Sequence, residues 1–388
     1  VYRKILLSIV LVFSFGAFLQ PGDITSANAE IPAVSVVKTI APTAAPKPVS
    51  PTPTIDPSKT PAASSSQTGP DHFASNINPL TGLPVEDPSL LAYQPALVSV
   101  SNFPASARPQ TGLSLAPHVY EITIGEGETR FLAVFYGNYG SSNVPPESTG
   151  IGPIRSGRLV YEDLKTLYQG FIVMAGASPE VGAQLSGVKQ AYSNHPGNIN
   201  GDAISIADLE TTAEKRADGK GSPTLNGTVF DSAVPAGGSD ATKLNIFWSL
   251  RDQVEWVYNP ATGKYLRSQD KADGKGTFVP ATDKLTGEQL SADNVVILAA
   301  DHDYQTPTRI DIDIAYIKKG NAYFLRDGKI FRVYWTSLAP LGPIRFMDEA
   351  GNPFAVKPGN TWFEVIYTLN TTKETEPGVW FTKFYNPN

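Results

Sequence analysis

Two arginines three apart, Arg155 and Arg158, sit in "GIGPIRSGR" (150–158), a glycine-rich, proline-marked turn ahead of a helix-like segment. A guanidinium is a planar fork for carboxylate or phosphate, and two from one turn can clamp an anionic group. Three more candidate ligand-binding residues join them. Glu121 and Arg130 lie on two strand-like runs, and Ser178 opens a helix whose free N–H groups favour anions. If "GEGE" closes a hairpin with Ile124 opposite Thr129, Arg130 faces Thr123 and lies diagonal to Glu121 on a charged face. Tyr120, Ile122, Phe131 and Ala133 then take the apolar face. The competing structural reading is that Glu121 and the arginines neutralise one another in an internal network.

Other residue types point to other chemistry. Glu121 with Glu126 or Glu128 has the makings of the carboxylate pair of a glycoside hydrolase, one acid and one nucleophile or base, about 5 to 10 Å apart. Glu126 and Glu128 belong to the expected turn, however, where solvated carboxylates are ordinary. In "DHDYQTPTRIDIDI", Asp301, Asp303, Asp311 and Asp313 are candidate metal ligands, for Ca²⁺. Period-two alternation puts Asp311 and Asp313 on one face and Ile310, Ile312 and Ile314 on the other, which a solvated strand face explains equally well. "SGVK" (Ser186, Lys189) lacks the partner motifs of a serine acylase, and "DGKG" lacks the hydroxyl residue of a P-loop. No HExxH is present, His118 reads as entering a strand, and no catalytic residue is assigned. Trp248, Trp256, Trp335, Trp362 and Trp380 read as core residues rather than sugar platforms.

These residues need elements to hold them. "ALVSVSN", "HVYEITI" and "TRFLAVFYG" read as strands, "GRLVYEDLKTLYQG" as a helix, "FIVMAGA" as a buried strand and "SPEVGAQLSG" as a capped helix. From about Ala241 short aromatic strands recur between turns, from "NIFWSL" to "VWFTKFY". The expected class is α+β: a mixed α/β domain over 76–240, then a β-rich, mainly antiparallel domain over 241–388.

Ahead of these, Arg3 and Lys4, an apolar run from Ile5 to Leu19 and small residues at Ala27 and Ala29 form the pattern of a secretory signal over 1–29, cleaved after Ala29. Residues 30–75 are rich in Pro, Thr, Ala and Ser and read as a disordered spacer. The 388 residues contain no cysteine, which excludes disulfides, thiolate metal sites and lipid attachment at a lipobox cysteine. A net charge of −6 excludes a nucleic-acid partner held by a basic stripe.

"NPLTGLPV", "ARPQTGLSLAPHVYEITIGEGETRFLAVF", "GIGPIRSGR", "MAGASPE" and "YWTSLAPLGPIRFMDEAGNPFAVKPGNTWFEVI" together resemble the YerB-like family of exported bacterial proteins, over about Asn78 to Tyr367. The resemblance implies an envelope protein with a domain of unknown function, a separate C-terminal portion and no established reaction. Where the family tends to carry a His-Asn pair, this chain has "SPTLNGTVF" and keeps only Asn226.

The expectation is therefore an exported, envelope-associated protein without membrane insertion of its mature domains. It binds an anionic or carbohydrate-containing ligand, or an envelope protein, through an arginine-lined groove, with no cofactor beyond the Ca²⁺ candidate. The competing readings are a wall-polymer hydrolase using Glu121 and Glu126, and a scaffold with an exposed apolar patch and no cleft.

Overall fold

The β-branched and aromatic runs become strands. The computed structural model describes residues 67–140, 150–192, 198, 200–338 and 342–385; the residues expected to form a signal sequence, and those of the expected spacer up to residue 66, lie outside them. The first elements are β1 (Ala96–Ser101), β2 (His118–Gly125), β3 (Glu128–Phe135), α1 (Val160–Tyr168), β4 (Phe171–Met174), α2 (Pro179–Gly182), β5 (Val188–Gln190) and α3 (Ile206–Ala217). Short strands follow: β6 (Ser239–Asp240), β7 (Lys243–Ser249), β8 (Asp252–Asn259), β9 (Lys264–Asp270), β10 (Phe278–Pro280), β11 (Ser291–Ala292), β12 (Asn294–Ala300) and β13 (His302–Thr306). The last are β14 (Arg309–Ile312), β15 (Ile317–Arg326), β16 (Lys329–Ser337), β17 (Arg345–Met347), β18 (Thr361–Tyr367), β19 (Thr371–Glu376) and β20 (Val379–Lys383).

The class is α+β, with few helices and mostly strands. The larger sheet runs β17-β16-β15-β12-β18-β2-β3-β1-β4-β5, with β6 on β16, and mixes parallel and antiparallel pairs. Strands from both ends of the chain share it, because β18 lies parallel to β2 on one side and to β12 on the other. The second sheet, β10-β9-β8-β7-β20-β19 with β11 on β9, is antiparallel except where β20 runs alongside β7.

Period-two alternation gives the larger sheet two apolar faces. On one, Val98, Val100, Val119, Phe131 and Trp362 meet Leu244, Ile246 and Trp256 of the second sheet, joined by Leu209 and Ala213 of α3. The other packs Leu97, Leu132 and Val134 under Leu164, Leu167 and Tyr168 of α1, which lie three and four residues apart on one helical stripe. Each buried leucine there contributes about 1.5–3 kcal/mol. The helix stops at Gln169, in the left-handed region at φ 52°. All five tryptophans are buried.

Two segments depart from expectation. Residues 67–75, assigned to the spacer by composition, are part of the fold: Thr68 and Phe230 exchange backbone hydrogen bonds of 2.8 and 2.9 Å, and Phe73 packs edge-on against Phe230. "RIDIDIAYI" is not one strand, since β14 ends at Ile312 and the chain turns at Tyr316, with φ 60°, before β15. Ile310, Ile312 and Ile314 are nonetheless all buried.

Candidate functional site

The "GIGPIRSGR" turn is held at the carboxyl end of β1. Strand β4 pairs with β1 only over Ala96–Val98. Beyond Val98 its place is taken by the turn, as Arg155 N donates to Ser99 O (3.0 Å) and Ser101 N to Pro153 O (2.8 Å). Ile151 exchanges backbone hydrogen bonds with Ile204, and Gly157 N donates to Gly176 O at 2.9 Å. Gly157 is required by close approach, because a Cβ there would stand 2.4 Å from Met174 Sδ and 2.5 Å from Leu185 Cδ1. The turn therefore sits at the ends of two parallel strands and feeds directly into α1, the usual ligand position in open α/β sheets.

Arg130, Arg155 and Arg158 converge here. Arg130 Nη1 donates to Ser156 O at 2.8 Å, which places its guanidinium against the peptide between the other two arginines. Arg155 Nε donates to Ser101 Oγ (3.2 Å) and its Nη2 to Asn200 Oδ1 (2.9 Å), while Arg158 Nη1 reaches only Gly157 O (3.0 Å). Among the described residues no carboxylate oxygen lies within ion-pair distance of any of the three. The Nε atoms of Arg130 and Arg158 are buried without an acceptor. Burial, with repulsion from Arg158 and Arg155, pushes Arg130 down to about 9. Burial also lowers Arg158 and Arg155, the latter partly offset by Asp202. Such a cluster spends stability to hold positive charge together, as an anion-binding site does.

Glu121 is not part of it. A bulge at Ile124 sets Thr123, not Ile124, opposite Thr129, so Arg130 pairs with Ile122 and Glu121 with Phe131. The one-residue shift sends Glu121 to the opposite face from Arg130, with Phe131 and Ala133, and leaves Arg130 beside Tyr120 and Ile122. Glu121 is fully buried between the sheets, where Arg267 Nη2 donates to its Oε2 and Thr129 Oγ1 to its Oε1, both at 2.8 Å.

This inter-sheet polar cluster went unrecognised in the sequence. Arg267 lies between the rings of Phe131 and Trp362, its Cζ 5.3 and 5.1 Å from their centroids. Asp252 Oδ2 lies 2.8 Å from Thr129 Oγ1, to which its protonated carboxyl donates, and Glu364 accepts from Trp256 Nε1 at 2.8 Å. Burial and the charge of Glu121 push Asp252 up to about 8 and Glu364 well above the usual carboxylate range. The available signal was the lone charge inside an apolar strand in "TWFEVIY"; "KYLRSQD", with three charged residues, gives none.

The remaining candidates do not converge on the arginines. Ser178 caps α2, accepting from Val181 N, and that helix is a single turn. Glu126 is exposed at the hairpin tip, with φ 57°, while Glu121 is sealed between the sheets, so the two make no acid–base pair in a cleft. Asp303 and Asp311 face each other across β13–β14, Asp301 accepts from Thr368 Oγ1, and Asp311 accepts from Ile312 N. Among the described residues no three His, Cys, Asp or Glu are grouped to hold a metal ion. Mutual repulsion of the aspartates adds to burial in raising Asp313. His118 does begin β2, its Nε2 3.0 Å from Leu80 O and its Nδ1 2.6 Å from the Tyr168 hydroxyl. No helix among the described residues is long and apolar enough to cross a membrane.

Comparison with known proteins agrees with the resemblance. Residues 80–215 match the N-terminal domain, and residues 244–363 the C-terminal domain, of the family described as "Protein of unknown function (DUF3048)". The chain is similar to a Bacillus subtilis (strain 168) protein named "Putative lipoprotein YerB", 28% identical over 311 residues that cover 75% of this chain and 86% of that one. It is also similar to the crystal structure of YerB from Bacillus subtilis, with a TM-score of 0.57 and 26% identity, covering 75% of this chain and 96% of that one.

Proposed function

We propose an anion-binding role at the cell envelope for this chain, which belongs to the DUF3048 family of unknown function. Arg130, Arg155 and Arg158 bind the anionic part of an envelope ligand, while Glu121 and Ser178 act structurally. The observation that carries this reading is a trio of guanidinium groups with no carboxylate partner among the described residues and two buried Nε atoms without acceptors. Placement at the envelope is supported by the signal-like opening residues and by the relative named "Putative lipoprotein YerB". The hydrolase reading loses its acid–base pair, because Glu121 already neutralises Arg267.

Isothermal titration of the protein with a panel of small anions tests this role. Arg155→Ala with Arg158→Ala abolishes the binding seen in the native protein while the melting temperature stays within a few degrees, since no internal ion pair is lost. Equal binding by the double variant overturns the reading.

A further inference from the structure

The bound group can be narrowed beyond "anion". We infer that the arginine site takes a terminal phosphoryl group, a phosphomonoester or pyrophosphate end, in preference to a carboxylate or a phosphodiester. This rests on the anion-binding role proposed above. The three guanidinium groups have no carboxylate at ion-pair distance, the charges of Asp202 and Glu128 reaching Arg155 and Arg130 only from further off, so the local charge favours a ligand bearing more than one negative charge. A terminal phosphoryl group carries close to two negative charges at neutral pH and three strong acceptor oxygens. A carboxylate or a phosphodiester carries one charge, and a carboxylate presents its two oxygens in one plane.

The geometry fits a ligand with several oxygens. The arginines come from two directions: Arg130 from β3 in the sheet, and Arg155 and Arg158 from successive corners of the turn. Arg130, 7% exposed, has a buried Nε–H with no acceptor, and so does Arg158. Arg155 and Arg158 keep partial exposure, so a chain-end group can reach them from solvent. Leu159 follows Arg158 as the N-cap residue of α1 (Val160–Tyr168) and makes no side-chain hydrogen bond to the helix, whose first turn also carries Glu162 and Asp163. Behind the arginines lie buried hydroxyls held in internal hydrogen bonds: Tyr161 Oη is 3.1 Å from Ser99 Oγ, and Ser101 Oγ donates to Phe103 O while accepting from Arg155 Nε.

The test is calorimetric titration of the intact protein with methyl phosphate, pyrophosphate, dimethyl phosphate and acetate at fixed ionic strength. Methyl phosphate and pyrophosphate are expected to bind at least about tenfold more tightly than dimethyl phosphate or acetate, and methyl phosphate affinity should rise as pH passes its second pKa near ~6. Arg158→Lys, which keeps the charge but loses the fork, should narrow that preference. Dimethyl phosphate or acetate binding within about twofold of methyl phosphate overturns the phosphoryl assignment and leaves the anion-binding role standing. Absence of binding by all four, or binding unchanged in Arg155→Ala with Arg158→Ala, overturns both.

Discussion

Glu121 and Arg267 form a 2.8 Å ion pair in which neither side chain is exposed, joining the two sheets through their shared interior. Breaking such a pair from one side leaves an uncompensated buried charge and costs about 3–5 kcal/mol. Arg267→Met is expected to cost more than Glu121→Gln, because Asp252 and Glu364 also lean on that guanidinium. Urea denaturation of the two variants checks the order.

Asp252 makes stability fall with rising pH between the acid range and about pH 8. Its folded-state value, about 8, lies above the unfolded one, so the folded protein binds the extra proton and stability falls as pH rises from about 4 through about 8. Asp252→Asn should flatten that fall, gaining most over the native protein near pH 8. Melting curves from pH 5 to pH 9 read the difference; parallel curves for the two proteins would refute it.

His118 acts at the other end of the scale. Burial lowers it to about 4, and as a neutral ring it donates from Nε2 to the Leu80 carbonyl and accepts at Nδ1 from Tyr168, whose oxygen is 2.7 Å from Tyr120 Oη. A depressed folded value means the unfolded chain takes the proton first. Stability is complete above about 6.5 and is lost as pH falls toward 4, by ~3 kcal/mol for this group. His118→Gln should weaken the native protein near neutrality yet make it less sensitive to acid, measurable as a smaller change in melting temperature between pH 7 and pH 4.5.

Arg130 sets function against stability. A buried cation without a carboxylate partner costs folding free energy. Arg130→Met should therefore raise the melting temperature by a few degrees without ligand and remove the stabilisation that added anion gives the native protein. A scan with and without phosphate shows both effects; a strong loss of stability in the variant would mean that the guanidinium is a structural tie.

The sequence was a good guide wherever burial follows a regular period. Alternation placed Ile310, Ile312 and Ile314 inside, and the helical stripe of α1 runs where Leu164, Leu167 and Tyr168 are spaced for it. It misled at Ile124, because a bulge inserts one residue without disturbing the local pattern, and that single step put Glu121 and Arg130 on opposite faces. The inter-sheet acids were hidden for another reason. Glu364 and Arg267 are about a hundred residues apart, and no local feature announces that a carboxyl in one strand and a guanidinium in another will share an interior. The arginine trio was visible in part because two of its members come from one short turn.

The position of β18 has a consequence for biogenesis. Strand β2 takes its parallel neighbour from Thr361–Val365 of β18, far along the chain from His118, so that edge of β2 stays open until this distant segment has been made. A product truncated before Thr361 would leave the facing edges of β2 and β12 as open backbone ladders, exposed to aggregation.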